Sequence, residues 1–115
     1  MRAIVTGGAG FIGSHIAELL VNKNYEVIII DNFVTGRLEN LNKIKHKVKI
    51  VNESVSNYKK IEKVFKNVDY VFHLAALADI VPSIENPEIY YDTNVTGTLN
   101  ILRASKKYNI KKVIY

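Results

Sequence analysis

Residues 6–13 read Thr-Gly-Gly-Ala-Gly-Phe-Ile-Gly, and this stretch decides the fold. An apolar run, residues 2–6, precedes it, and an amphipathic stretch, residues 11–23, follows it. Gly7 permits a tight turn off a strand, Gly10 lets a pyrophosphate approach the backbone, and Gly13 lets the next helix pack closely. The N-terminus of that helix would also offer free N–H groups and a partial positive charge to phosphates. The stretch therefore predicts a strand, a glycine turn and a helix that together hold a phosphorylated ligand.

Apolar runs and amphipathic stretches alternate along the whole chain. We predict strands at 2–6, 26–31, 47–51, 69–74 and from Val113 onward, and helices at 11–23, 57–66 and 87–107, with a short helix within 38–45. Ile12, Ile16, Leu19 and Leu20 are expected on one face of the first helix, and a loop is expected between the fourth strand and Pro87. Near-continuous apolar strands joined by helices favour a parallel sheet covered on both faces. The predicted fold class is α/β, a doubly wound parallel sheet (Rossmann fold) over residues 1–115, truncated in its fifth strand.

The composition favours a soluble globular domain. The 115 residues are 48% hydrophobic, contain no cysteine and carry a formal net charge of +5. The hydrophobic fraction argues against disorder, and the lack of cysteine excludes a disulfide scaffold. The lysines lack interleaved aromatic residues and fit no nucleic-acid module, so we interpret them as solvated faces. No apolar run suits a signal peptide or a membrane span, and we expect a cytoplasmic protein with no nucleic-acid or membrane partner.

An acidic residue, Asp31, ends the second predicted strand. A carboxylate at this place can accept hydrogen bonds from both ribose hydroxyls of an adenosine. It would also repel a 2′-phosphate, and the glycine turn contains no Arg or Lys to offset that repulsion. Arg37 is the one nearby cation that could offset this repulsion and so reduce the preference for NAD over NADP. The pattern therefore predicts NAD as the cofactor and disfavours NADP.

Four stretches resemble one known family, in order along the chain: TGGAGFIG (6–13), DNFVTGRLENL (31–41), DYVFHLAAL (69–77) and SIENPEIYYDTNVTGTLNIL (83–102). The family is the extended short-chain dehydrogenases/reductases and, within it, the NAD-dependent nucleotide-sugar epimerases and dehydratases; the likeness is greatest to the UDP-glucose 4-epimerase type. The resemblance implies an isomerase that oxidises a sugar hydroxyl by hydride transfer to NAD and returns the hydride to the other face of the ketosugar. It also implies a nucleotide-sugar substrate and a homodimer whose interface includes helix 87–107.

The resemblance implies a set of cofactor-binding residues. These are Gly7, Gly10, Phe11, Ile12, Gly13, Asp31, Asn32, Ser54, Val55, Leu74, Ala75, Ala76 and Asn94. Asp31 and Asn32 would hold the adenosine ribose, and Asn94 would reach from the long helix towards the nicotinamide. Ser54 departs from the family pattern, because an Asp that binds adenine usually stands there. Ala78 also departs from it, because the most similar epimerases often carry a Lys, and this favours a related sugar epimerase.

Other residues that could suggest catalysis receive structural interpretations. His73 ends a predicted buried strand with no nucleophile near it in sequence, and Tyr90 and Tyr91 fit packing or an interface on an amphipathic helix. Asn94 and Gly97 go against helix propensity, Gly by about 1 kcal/mol relative to Ala. Such residues indicate a functional role or, for Gly97, close helix packing, and the sequence leaves both open.

The family's catalytic base is the Tyr of a Tyr-x-x-x-Lys pair on one helix, after a Ser-rich loop. The only match here is Tyr108–Lys112, which straddles a predicted helix end, with Asn109 as the helix breaker. We therefore expect no catalytic residue and no metal site in this chain. It should be the N-terminal part of an epimerase that binds NAD but is inactive alone. Two alternatives remain open: a dehydratase or decarboxylase of the same family, and a non-catalytic NAD-binding module.

Overall fold

A five-stranded parallel sheet organises the protein, described here for residues 1–115 by a computed structural model. The strands are β1 (Arg2–Thr6), β2 (Glu26–Asp31), β3 (Val48–Asn52), β4 (Tyr70–His73) and β5 (Lys112–Ile114). The helices are α1 (Phe11–Asn22), α2 (Tyr58–Ile61), α3 (Ile80–Glu85), α4 (Pro87–Tyr91) and α5 (Gly97–Lys107), with 3₁₀ turns at Leu38–Leu41 and Glu62–Phe65 and a π turn at Asp92–Thr96. The predicted α/β class with five parallel strands is confirmed.

In the strand order β3-β2-β1-β4-β5, the chain adds β2 and β3 on one side of β1 and then β4 and β5 on the other side. Thr6, the last residue of β1, pairs in register with Ile30 of β2 and with His73 of β4. The segments that leave β1, β2 and β4 therefore emerge side by side at one edge. In open α/β sheets the ligand crevice lies at this switch point, outside the carboxyl ends of the strands.

The core lies on both faces of the sheet because alternate strand residues point in opposite directions. Ile4 of β1 faces a cluster that includes Phe65 and Ile101, all three fully buried. Ala3 and Val5 face the opposite cluster, which α1 covers. A sheet buried on both faces needs continuous apolar strands, which explains why β1 and β2 read as unbroken apolar runs.

The inward face of α1 differs from the predicted one. Its buried side is formed by Gly13, Ser14, Ala17 and Leu20. Of the predicted face, Leu20 is buried and Ile16 half-buried, but Ile12 and Leu19 are 62% and 55% exposed. Small residues occupy most of the inward face because α1 starts against the glycine turn, where bulky side chains would hold the helix away from the sheet.

The segment between β4 and β5 departs most from prediction. Residues 80–85 form helix α3 where a loop was expected, and none of its residues is buried. The predicted helix 87–107 exists, but a π turn at Asp92–Thr96 divides it into α4 and α5. The predicted helix 57–66 likewise begins as α2 and ends as a 3₁₀ turn, and the helix predicted within 38–45 is the 3₁₀ turn Leu38–Leu41. No helix combines the length and the apolar character needed to cross a membrane.

Candidate cofactor-binding site

A cavity of about 480 Å³ opens at the carboxyl edge of the sheet. Of the thirteen residues predicted to bind a cofactor, twelve line it: Gly7, Gly10, Phe11, Ile12, Gly13, Asp31, Asn32, Ser54, Val55, Leu74, Ala75 and Ala76. They come from four separate segments, at the carboxyl ends of β1, β2, β3 and β4. The fold therefore gathers into one crevice residues that lie up to 69 positions apart in the chain. Asn94 is the exception and does not line the cavity.

The glycine turn is packed too tightly for side chains at three of its positions. At Gly8 the obstacle is the Ile29 side chain, 2.7 Å from an added Cβ, and at the other two it is backbone. Gly7 has a φ of +65°, and a Cβ there would lie 2.7 Å from the backbone nitrogen of Ala75. A Cβ on Gly13 would collide with the carbonyl oxygen of Gly7. Gly10 is less crowded, with one contact at 3.2 Å, and it caps α1 without any side-chain hydrogen bond. The first N–H groups of α1 therefore remain available to an anionic ligand beside the turn.

Asp31 is fixed by two backbone hydrogen bonds and is only 7% exposed. Its Oδ2 accepts from the N–H of Ala9, 2.9 Å away, and its Oδ1 accepts from the N–H of Phe33, 2.8 Å away. Gly36 lies against the carboxylate, since a Cβ there would come within 2.9 Å of both oxygens. Each carboxylate oxygen has a second lone pair. The group is thus oriented by the protein and can still accept two further hydrogen bonds from a ligand.

The segment after β3 forms another wall of the cavity. Ser54 lines it, but its Oγ accepts from the N–H of Ser56 at 3.2 Å and lies 2.8 Å from the Ser56 hydroxyl. Asn100 of α5 is buried and donates its amide to the carbonyls of Val55 and Ser56 at 3.1 and 2.9 Å. Direct binding of adenine by the Ser54 hydroxyl stays a prediction, and that hydroxyl already has an internal partner.

Gly97 lies where α5 approaches the same wall. A Cβ on Gly97 would come within 2.5 Å of the Val55 side chain, which is itself buried. Of the two interpretations that the sequence left open, the structure supports close helix packing. The glycine lets α5 approach near enough for Asn100 to reach the wall.

The turn after β4, Leu74–Leu77, forms the floor of the cavity, and we call it the floor turn. Thr6 holds its start, because the Thr6 hydroxyl oxygen accepts from the N–H groups of Leu74 and Ala75 at 3.1 and 3.2 Å. Asn94 holds its end, exchanging two hydrogen bonds of 2.8 Å with the backbone of Leu77. The amide predicted to point to the nicotinamide is therefore engaged with the floor turn, and its role at the cofactor stays a prediction.

His73 lies beneath this turn and outside the cavity lining. The ring is 8% exposed and contacts two threonine hydroxyls, Thr6 Oγ1 at 2.7 Å from Nδ1 and Thr98 Oγ1 at 2.9 Å from Nε2. Burial lowers the pKa of His73 below its ordinary 6.5, because the charged form loses hydration. A buried, neutral imidazole with a hydrogen bond at each ring nitrogen fits the predicted structural role.

Tyr108 and Lys112 do not share a helix face. Helix α5 ends at Lys107, Asn109 adopts a φ of +53°, and Lys112 is the first residue of β5. The predicted breaker is thus confirmed, and the pair lacks the one-turn spacing that a Tyr-x-x-x-Lys pair needs on a helix.

Sequence reasoning missed nine cavity-lining residues. These are Ile30, Val34, Thr35, Gly36, Glu53, Leu77, Ala78, Ile89 and Thr93. Most of them neighbour a predicted position, so a wider window around each motif would have included them. Thr6, which anchors the floor turn, carried no signal because its partners lie 67 to 69 residues away.

Comparisons with known proteins agree with this geometry. The family model described as GDP-mannose 4,6 dehydratase matches residues 4–115. A putative UDP-glucose 4-epimerase of Methanocaldococcus jannaschii is 47% identical over 113 residues, which cover 97% of this chain and 36% of that protein. UDP-glucuronic acid decarboxylase 1 of Arabidopsis thaliana is 42% identical over 107 residues, 93% of this chain and 24% of that protein.

A solved structure gives the same result. The Thermus thermophilus UDP-glucose 4-epimerase, in complex with NAD, superposes with a TM-score of 0.90 at 37% identity, over 100% of this chain and 37% of that one. The chain thus spans about a third or less of the length of these relatives. The chain belongs to the extended short-chain dehydrogenase/reductase family, in its group of nucleotide-sugar epimerases and dehydratases.

Proposed function

We propose that the cavity binds NAD, with the adenosine ribose on Asp31 and the pyrophosphate at the N-terminus of α1. The oriented Asp31 carboxylate carries this proposal, because its two free lone pairs match the two ribose hydroxyls. The lining contains two acidic residues, Asp31 and Glu53, and no Lys or Arg. A 2′-phosphate would meet uncompensated negative charge there, so NAD is favoured over NADP.

The experiment for the cofactor is calorimetric titration of the full chain with NAD and, separately, with NADP. We expect NAD to bind at least tenfold more tightly than NADP, which corresponds to about 1.4 kcal/mol. Asp31→Asn removes the charge and should reduce the ratio of the NAD affinity to the NADP affinity, mainly by weakening the binding of NAD. Equal affinities for the two dinucleotides in the wild type would refute the assignment of the ribose to Asp31.

We infer that the chain functions in an NAD-dependent nucleotide-sugar epimerase of the UDP-sugar 4-epimerase type. The similarity to the M. jannaschii and T. thermophilus proteins supports this function. NAD supplies reversible hydride transfer when it is bound. The residues described here would bind the cofactor, orient it through the glycine turn and Asp31, and present an apolar floor beneath it.

Within this inference, we propose that residues 1–115 bind NAD without interconverting sugars. The one Tyr-x-x-x-Lys match is split between the end of α5 and β5, so it cannot act as a base and its supporting lysine on one helix face. The measurement is a coupled assay for interconversion of UDP-glucose and UDP-galactose by the purified chain in the presence of NAD. Turnover by the purified chain would contradict the proposal, and loss of that turnover in Tyr108→Phe would identify Tyr108 as the base.

A decarboxylase of the same family is the second candidate, favoured by the 42% identity to the A. thaliana protein. The cofactor site would serve either reaction, because the matches to the epimerase and to the decarboxylase cover 97% and 93% of this chain. The discriminating experiment gives UDP-glucose and UDP-glucuronic acid in turn to a protein that carries this chain together with its sugar-binding region. Release of carbon dioxide from the second substrate would favour the decarboxylase.

We also propose a homodimer in which α4, the π turn and α5 form the interface. Tyr91, Val95, Leu99 and Leu102 follow one another at helical spacing and are 48% to 64% exposed. A row of apolar side chains on one helix face is typical of a protein interface. Sedimentation of the wild type and of Leu99→Glu tests it, since the charged variant should shift a dimer to monomer.

A further inference from the structure

We propose that His73 is a positioning residue for the cofactor cavity: as a neutral imidazole it joins the two anchors that hold the floor turn, Leu74–Leu77. The role rests on the proposed binding of NAD by this cavity. His73 itself does not line the cavity, so it acts through the backbone that does.

The first anchor is Thr6, at the end of β1. Its hydroxyl oxygen accepts from the N–H of Leu74 at 3.1 Å, which is shared with the Thr6 carbonyl, and from the N–H of Ala75 at 3.2 Å. The adjacent Gly7 leaves no space above Ala75, since even a Cβ would approach its nitrogen to 2.7 Å. Thr6 therefore fixes how near the floor turn lies to the glycine turn.

The second anchor is Asn94, in the middle of the π turn. Its Oδ1 accepts from the N–H of Leu77 and its Nδ2 donates to the Leu77 carbonyl, each at 2.8 Å. The Asn94 backbone carbonyl accepts a 2.6 Å hydrogen bond from the hydroxyl of Thr98. The end of the floor turn is thus tied to α5 through one residue.

His73 connects the anchors, and counting protons determines its tautomer. A threonine hydroxyl has one proton and two lone pairs. Two N–H groups point at the lone pairs of Thr6 Oγ1, so its proton is donated to His73 Nδ1 at 2.7 Å. The ring proton is then on Nε2 and is donated to Thr98 Oγ1 at 2.9 Å, while the Thr98 proton goes to the Asn94 carbonyl. Thr6, His73, Thr98 and Asn94 are thus joined by one chain of hydrogen bonds, which we call the relay, and each proton in it is donated once.

A protonated ring would break the relay. With a proton on Nδ1, Thr6 Oγ1 would have to accept a third hydrogen bond, or release Leu74 or Ala75 from the anchor. The hydrogen-bond partners of the ring are the hydroxyls of Thr6 and Thr98, and the pKa of His73 is lowered by burial, with no charged neighbour contributing. The surroundings thus keep the ring in the form that the relay requires.

The test removes the relay hydroxyl with the least change of shape. In the full chain, Thr98→Val deletes the acceptor of the Nε2 proton, Thr98→Ser keeps it, and Thr96→Val makes the same change on a hydroxyl outside the relay. We expect Thr98→Val to bind NAD about tenfold more weakly in calorimetry, with Thr98→Ser and Thr96→Val close to wild type. In wild type, long-range ¹H–¹⁵N correlation spectra should show His73 with its proton on Nε2.

The outcomes separate the two proposals. A wild type that binds no NAD refutes the proposed cofactor and, with it, this role. A wild type that binds NAD, together with a folded Thr98→Val that binds it equally well, overturns the relay alone. If Thr98→Val fails to fold, the tautomer decides, because a proton on Nδ1 of wild-type His73 contradicts the assignment on which the relay depends.

Discussion

Replacing Asp31 with Asn should destabilise the protein before any cofactor is added. The two carboxylate oxygens each accept one backbone N–H, from Ala9 and from Phe33, in a site that is 7% exposed. Asparagine is nearly the same size but has one acceptor oxygen and an NH₂ donor in place of the other. Whichever way the amide is turned, one of the two backbone N–H groups faces a donor.

The magnitude follows from these two hydrogen bonds. A hydrogen bond to a charged group contributes about 1.5–3 kcal/mol, and a neutral one about 1 kcal/mol. One bond is therefore weakened by roughly 1 kcal/mol and the other is lost with its full contribution of about 2 kcal/mol. Relief from burying a charge offsets part of this loss. We expect the free energy of unfolding to fall by about 2–3 kcal/mol and the melting temperature by about 10 °C.

The assay is urea unfolding of the cofactor-free chain, followed by circular dichroism. Asp79→Asn is the matched control, because Asp79 is exposed and makes no capping hydrogen bond at the start of α3. An Asp31→Asn variant that unfolds within about 0.5 kcal/mol of wild type, a difference ordinary for surface changes, would refute the reasoning. A stability loss also means that the cofactor affinity of this variant must be measured where the variant is fully folded.

Three further predictions concern packing and pH. Gly13→Ala should lower stability by about 3 kcal/mol, because its Cβ meets the Gly7 carbonyl, whereas Gly10→Ala, with one contact at 3.2 Å, should cost about 1 kcal/mol or less in thermal unfolding. Gly97→Ala gains about 1 kcal/mol of helix propensity but overpacks against Val55, so a net loss is expected, and a more stable variant would contradict the packing role. The free energy of unfolding should fall as the pH drops below 6.5, because His73 is protonated in the unfolded chain but stays neutral in the folded one until the pH reaches its lowered pKa. In urea titrations, His73→Leu should flatten this dependence of stability on pH, and His46→Leu, at an exposed position, should not.

The strands and the glycine turn could be predicted because their signals are local. The runs that became β1 and β2 are apolar without interruption, and both strands have their predicted bounds. Helix α3 was missed because it is only six residues long and contains Pro82, which argues against a helix in a sequence pattern. The inward face of α1 was predicted wrongly because bulky side chains were preferred, whereas contact with the glycine turn selects small ones.

The support of the site could not be predicted from the sequence. Thr6 and His73 are 67 residues apart, and Asn94 and Leu77 are 17 apart, so neither pair forms a pattern in the chain. Asn94 was singled out for its low helix propensity, and the structure shows it holding the floor turn by its amide. The residues next to Asn94 in sequence do not predict this contact, because its partner Leu77 approaches it only in the folded chain.

The π turn at Asp92–Thr96 fixes the number of residues that can stand between α4 and α5. A π turn takes up one residue more than an α-helical turn, and one residue rotates the following helix by about 100°. That rotation lets a single rod direct Ile89 and Thr93 at the cavity, Thr98 at His73 and Asn100 at the wall after β3. Single substitutions between residues 92 and 96, other than at the anchor Asn94, should therefore be tolerated far better than the deletion of one residue. A deletion would turn all of α5 relative to α4 and separate the cavity from two of its supports at once.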